Sequence, residues 1–322
     1  MTRLVFNTIK SMVFFGECMV EYRADNDISF AGDTFNTAWY FSQFNKGKTR
    51  LSVQYASAIG DDEASSNLAL LLQQERLESP YLITVQKKQL GQYWVKLAEN
   101  GERHFEFDRL NSPVRQYFNQ DSGLLAALKH KQFDAIYLSG ISLAVLCSEQ
   151  RAQFIAALRQ FKQRGGVIFF DNNYRAALWQ TETPKKWFQQ LMALANVAFL
   201  TDEDEYAVYG TQCVNSIIAH HFSQNEPAPD MLVIRCGSAP CVIALTSDDV
   251  LEVSPKKIAA EYIIDTTAAG DAFAAGFLVK ALQGETFENA AKFAHRLAGQ
   301  VIQHHGALMP KDKLTKYFSE EL

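Results

Sequence analysis

Cysteine is scarce and scattered: five residues, Cys18, Cys147, Cys213, Cys236 and Cys241, with no Cys-x-x-Cys pair among them. An odd, widely spaced set argues against a disulfide framework and a structural zinc site, and the expected setting is reducing and cytoplasmic. Proline is rare too, with 8 in 322 residues, and no Pro/Gly-rich or low-complexity stretch divides the chain. No apolar run reaches the roughly 18 residues of a membrane span. The apolar stretch "MVFFGECMV" (12–20) is interrupted by Glu17, follows Lys10 and has no small-residue cleavage site after it, so it reads as a strand rather than a signal peptide. Positive charge is not in excess: the formal charge is −5, which gives no footprint for nucleic acid or an anionic membrane, so neither partner is expected and any anion site must be local. A Gly-x-Gly-x-x-Gly turn after the first strand is also missing, which argues against a nicotinamide dehydrogenase.

What is present is a rhythm. Short β-rich runs, "LSVQYASAIG", "DAIYLSG", "GVIFFD", "NVAFLT" and "MLVIRCG", alternate with stretches of helical period. This predicts an α/β fold with a mostly parallel sheet covered by helices on both faces, as a single domain over 1–322. Ligands of such sheets sit beyond the carboxyl ends of the strands. One segment breaks the rhythm. In "GQYWVKLAENGERHFEFDR" (91–109), two alternating runs flank Asn100-Gly101, a hairpin signal. A two-residue loop gives a mixed face. A three-residue loop, Glu99 to Gly101, sets Tyr93 against Phe107 and Val95 against Phe105 and makes one face apolar, with Gly101 at the left-handed position of a bulge. Arg109 then lies at the edge of that face. A hairpin with an apolar face and no helix of its own must cover something, and a lid over the ligand edge is expected.

The stretch "IDTTAAGDAFAAGF" (264–277) carries the chemistry. Thr266 or Thr267 is expected to cap a helix, while Ala268, Ala269 and Gly270 leave its first-turn amides open to an anion at the positive end of the helix dipole. Asp271 at the mouth of that pocket is placed to accept a proton from an attacking hydroxyl. The bland alternative is a carboxylate that merely complements the dipole. Asp265 precedes the same turn, and the small apolar run after Asp271 implies a buried helix, where a carboxylate's pKa rises toward that of a useful base.

The run Asp265-Thr-Thr-Ala-Ala-Gly-Asp271 resembles the Asp-Thr-x-Gly-Ala-Gly-Asp signature of the ribokinase-like PfkB carbohydrate kinases, with Ala268 in place of Gly. "GECMVEYR", "FAGDTFNTAWY", "YLSGISLAVL", "FFDNNYRAALW", "FLTDEDEYAVYG" and "VIQHHGALMP" extend the resemblance over nearly the whole chain, toward the sugar-acid branch of that family. The resemblance implies a ribokinase-like three-layer sandwich with a small β-sheet lid, its strands within about 17–31 and 91–109. It implies transfer of the ATP γ-phosphoryl, with Mg²⁺, to the C6 hydroxyl of 2-keto-3-deoxy-D-gluconate, and a homo-oligomer, at least a dimer through the lid. Asp271 is then the base and Ala268, Ala269 and Gly270 the anion hole. Gly32, Asp33, Asn36, Tyr93, Phe107, Arg109 and Arg175 face the sugar. Asn173, Arg235, Gly237, Asp265, Ala268, Gly270, His295 and Gly306 face the nucleotide, and Asp204 with Glu205 lies near the metal through water. The chain departs from the family at Phe105 and Phe107, where tyrosines are expected, at Cys236 in the Lys-Arg-Gly turn, and at Thr201 and Asp204 in the Asn-x-x-Glu motif.

An acidic sugar has support from the residues themselves. Arg175 follows the buried run "VIFF" by a few residues and Arg109 sits on the hairpin, so two guanidinium groups converge on one cleft, as suits a carboxylate. Each has a plainer alternative: an ion pair with a neighbouring acid for Arg175, an exposed edge charge for Arg109. A kinase for a neutral ketose such as fructose, and a non-catalytic sugar- or nucleotide-binding regulator, remain as rival readings.

Overall fold

The structure, a computed structural model, describes residues 8–23, 28–45, 51–97, 103–179, 183–222 and 227–322. Its strands in chain order are β1 (Ser11–Phe15), β2 (Met19–Tyr22), β3 (Ile28–Ala31), β4 (Ser52–Ile59), β5 (Leu82–Thr84), β6 (Gln92–Leu97), β7 (Arg103–Asp108), β8 (Ala135–Ser139), β9 (Val167–Asp171), β10 (Val197–Thr201), β11 (Met231–Arg235), β12 (Cys241–Ala244) and β13 (Val250–Val253). Nine of them form one sheet in the order β13-β12-β11-β10-β9-β8-β1-β4-β5. It is parallel from β5 to β11, and β12 and β13 extend it antiparallel.

Strand alternation explains why both faces are covered. Phe14, Tyr137, Phe169, Phe199 and Val233 enter one core, with the helices Asp33–Phe44, Ala269–Leu282 and Phe287–Val301. Their neighbours Phe15, Leu138, Phe170, Leu200 and Ile234 enter the other, with Ser148–Gln163 and Pro184–Met192. Consecutive side chains on a strand point to opposite faces, so a run apolar at every position must be buried twice.

The remaining four strands form a separate sheet, β3-β2-β6-β7. "MVFFGECMV" is therefore two strands in two sheets rather than one. The chain leaves the large sheet at Gly16, where a Cβ would fall 2.2 Å from the Thr34 hydroxyl, and enters the small one at Met19. The hairpin has the register its apolar alternation predicts, Tyr93 opposite Phe107 and Val95 opposite Phe105. The loop assigned to Glu99–Gly101, with its bulge, lies outside the described residues. Among the described residues no helix is long and apolar enough to cross a membrane.

Candidate active site

A cavity of about 920 Å³ lies at the carboxyl ends of β9, β10 and β11, between the start of the helix Ala269–Leu282 and the small sheet. Three chain reversals supply its polar wall: Asp171, Asn173 and Arg175 after β9, Thr201 to Asp204 after β10, and Arg235 and Gly237 at the end of β11. Gly32, Asp33 and Asn36 come from the start of the helix Asp33–Phe44, and Tyr93, Phe105, Phe107 and Arg109 from the hairpin. Gly32 is required by contact: a Cβ there would stand 2.0 Å from the Glu17 carbonyl oxygen.

The helix Ala269–Leu282 begins differently from the expected threonine cap. Ala268 is its N-cap, left-handed at φ 59°, and no side chain caps it. A threonine oxygen would occupy the space in front of the first amides, so its displacement leaves those donors facing the cavity. The helix carries no further charge between Asp271 and Lys280, and Ala272 to Val279 are all buried, between the sheet and the helices Asp33–Phe44 and Phe287–Val301.

Asp271 accepts a hydrogen bond from Asn36 Nδ2 at 2.8 Å. Burial, and then the nearby Asp33 carboxylate, push its pKa up to about 8; the Asn36 bond and Arg235 pull the other way. Asp33 is raised as well, chiefly by burial, and accepts from Asn173 Nδ2 at 2.8 Å. Asn173 is itself held at φ 23°, its amide bonded to the Asn172 side chain at 2.8 Å. A carboxylate whose pKa is raised by burial and by a second carboxylate beside it, at the uncapped start of a helix, makes a site suited to proton abstraction.

The three arginines differ. Arg175 has 55% of its side chain exposed; Asp204 stands 3.9 Å away, and the nearest bond is to the Tyr174 carbonyl at 2.7 Å. It is open to a ligand. Arg109 is not the edge charge of the plainer reading: it is buried and ion-paired with Glu17, while still lining the cavity and lying 5.8 Å from the centre of the Phe107 ring. Arg235 is buried and paired with Asp171. Tyr93 is buried against Phe107, with ring centres 5.4 Å apart, and its hydroxyl pKa is driven up by burial and by Glu21.

Four expected site residues stand outside the cavity wall. Asp265 braces backbone instead, accepting from the amides of Thr267 at 3.0 Å and Gly306 at 2.9 Å, which also accounts for Gly306. His295 contacts the Val253 carbonyl at 2.9 Å and packs edge-on against Phe273. Glu205 is turned into the protein, 2.7 Å from His221 and 3.3 Å from Asn172. Its neighbour Asp204 does face the cavity, with burial raising its pKa. Among the described residues no group of three or more His, Cys, Asp or Glu could hold a metal alone. The mostly buried Asp204 carboxylate at the cavity wall fits a magnesium ion that takes its other ligands from phosphates and water. Sequence reading missed Glu17 and Asp171 as partners of the arginines. The signal for Glu17 was a charge inside an apolar run, and for Asp171 a charge ending the buried run "VIFF", but neither names its partner.

The model of the pfkB family carbohydrate kinases matches residues 10–314. A 2-dehydro-3-deoxygluconokinase of Dickeya dadantii is 35% identical over 311 residues, 95% of this chain and 99% of that protein. One from Escherichia coli K12 is 33% identical over 309 residues, with the same coverage. Among solved structures, a fructokinase with bound ATP from Xylella fastidiosa superposes with a TM-score of 0.75 at 18% identity, covering 97% of this chain and 99% of that one.

Proposed function

We propose, since this chain belongs to the pfkB family of carbohydrate kinases, that it transfers the γ-phosphoryl of ATP to the C6 hydroxyl of 2-keto-3-deoxy-D-gluconate, the substrate class its relatives are named for. The observation that carries the reaction is Asp271: a carboxylate of raised pKa, oriented by Asn36, at the uncapped start of a helix. It takes the proton from the attacking hydroxyl as that oxygen bonds to the γ-phosphorus and the bond from phosphorus to the bridging oxygen breaks, with ADP as the leaving group. The amides of the 268–271 turn and the helix dipole hold the charge on the phosphoryl oxygens. Mg²⁺ would be held by Asp204 and the nucleotide phosphates, and neutralises phosphate charge when bound.

Arg175 supports the acid. It is a cavity-lining guanidinium with most of its side chain open, and it orients the substrate carboxylate, while Arg109, already neutralised by Glu17, shapes the sugar end with Tyr93 and Phe107. The small sheet acts as a lid. Its exposed Phe105, Phe107 and Leu110 favour a second copy of the chain against it, which light scattering would test. The decisive experiment measures ATP consumption with 2-keto-3-deoxygluconate, its C4 epimer and fructose, for wild type and Arg175→Ala. Losing a charge-assisted pairing should lower kcat/KM for the acid roughly 10- to 150-fold, and far less for fructose. An equal fall for both, or turnover of fructose alone, overturns the assignment to an acid.

A further inference from the structure

We infer that Arg235 is a positioning residue that holds the anion hole in shape through the Gly270 carbonyl, with Asp171 as its anchor, and that it is not a grip on the nucleotide phosphates. The inference rests on the kinase reading above, and it reverses the role that resemblance assigned to this arginine.

Most of the Arg235 donors are already taken. A guanidinium has five N–H groups in a fixed fork. Nη2 bonds Asp171 Oδ1 at 2.6 Å, and Nη1 is shared between Asp171 Oδ2 at 2.9 Å and the Gly270 carbonyl at 3.1 Å. Nε bonds the Leu200 carbonyl at 3.3 Å. Four bonds to three groups take four of the five N–H groups, and the Asp171 carboxylate in the pair cancels the charge that would attract a phosphate. Asp171 is fixed from behind by the Tyr137 hydroxyl at 3.0 Å, and the pair is nearly excluded from solvent. Forks locked on both sides are struts.

What the strut holds is the first turn of the helix Ala269–Leu282. Gly270 is two residues from Ala268, whose left-handed backbone aims the turn at the cavity, and no side-chain cap fastens that turn. The Arg235 contact ties it to the end of β11. Gly270 admits the contact: a Cβ there would lie 3.3 Å from Nη1, tighter than ordinary packing. The glycine therefore serves the arginine as well as the ligand.

The test compares Arg235→Lys, which keeps the charge and loses the fork, with Gly270→Ala, which keeps the ion pair and crowds the contact. A strut predicts that Arg235→Lys lowers kcat by roughly 10²–10³-fold, the usual loss for a disturbed oxyanion-type site. KM for ATP, and the calorimetric Kd for ATP, should then stay within about threefold of wild type. Gly270→Ala should reproduce the kcat loss, and the double variant should fall well short of the product of the two, because both remove one contact. A tenfold or greater weakening of ATP binding with kcat little changed, or fully multiplicative effects, overturns the inference. Should Arg235→Lys fail to fold, Gly270→Ala decides by its own split between kcat and Kd. Should the wild-type protein bind ATP but phosphorylate no sugar acid, the functional reading fails, while the ATP affinity of Arg235→Lys still tells strut from grip.

Discussion

Replacing Asp271 with asparagine should stop the reaction and stabilise the fold, and the stabilisation should depend on pH. The Asn36 amide can donate to the new side-chain oxygen as it does to Asp271 Oδ2, so the geometry survives. The base does not, and kcat should fall roughly 10²–10⁴-fold. The stability effect follows from the raised pKa, up to about 8 from 3.8. Well below pH 3.8 the group is neutral in both folded and unfolded chains and contributes no difference. As pH rises from about 4 to 8 the unfolded chain ionises freely while the folded one resists, so the wild type loses stability across that window. At about 1.36 kcal/mol per pKa unit the full shift is an upper limit, and with Asp271 only partly buried in the cavity wall the loss is on the order of 2 kcal/mol by pH 8. Asparagine has no proton to release and escapes it. Thermal melts of both proteins at pH 4.5, 6 and 8 should show the variant's advantage growing to a few degrees. A difference that stays flat with pH, or a variant that melts lower at pH 8, would refute the raised pKa and with it the desolvated base.

Other changes test the neighbouring parts. Asp33→Asn removes the like charge beside Asp271, so the acid limb of kcat/KM should move down by about one pH unit, whatever happens to substrate affinity; an unmoved limb would mean the two carboxylates are independent. Ala268→Gly relieves a left-handed alanine worth ~1–2 kcal/mol of strain, offset by the glycine's greater freedom when unfolded, for a net gain of ~0.5–1 kcal/mol in urea titrations; destabilisation would contradict the strain. Glu17→Ala leaves Arg109 buried without its counter-charge and should cost ~3–5 kcal/mol, and a cost below ~1 kcal/mol would show the pair to be solvated.

Much of this site could be read along the chain because its parts are local. Glycine and alanine before Asp271 announce an open helix end through steric size alone, and Gly32-Asp33 opens its helix as expected. The hairpin register was legible because one slip would mix apolar and charged residues on a face that has to be covered. Arg175 falls after β9 by simple counting. What could not be read was any pairing with a partner far away in sequence. Arg109 meets Glu17 across 92 residues, and Arg235 meets Asp171 across 64. Asp265 and Glu205 were expected at the site and stand outside the cavity wall, bonded to Thr267 and Gly306 and to His221.

The periodicity and the small-residue turn by themselves determined a doubly covered α/β sheet with an open helix start at its carboxyl edge. Those properties arise from backbone geometry and side-chain size, which act within a few residues. Only the tertiary structure decided that the threonines would leave the helix uncapped, that Asp33 would come close enough to raise Asp271, and that two of the three arginines would arrive already neutralised. Charge interactions depend on distance in space and on what excludes water between the groups, and both are fixed only when β9, β11, the small sheet and the helix Ala269–Leu282 close around one cavity.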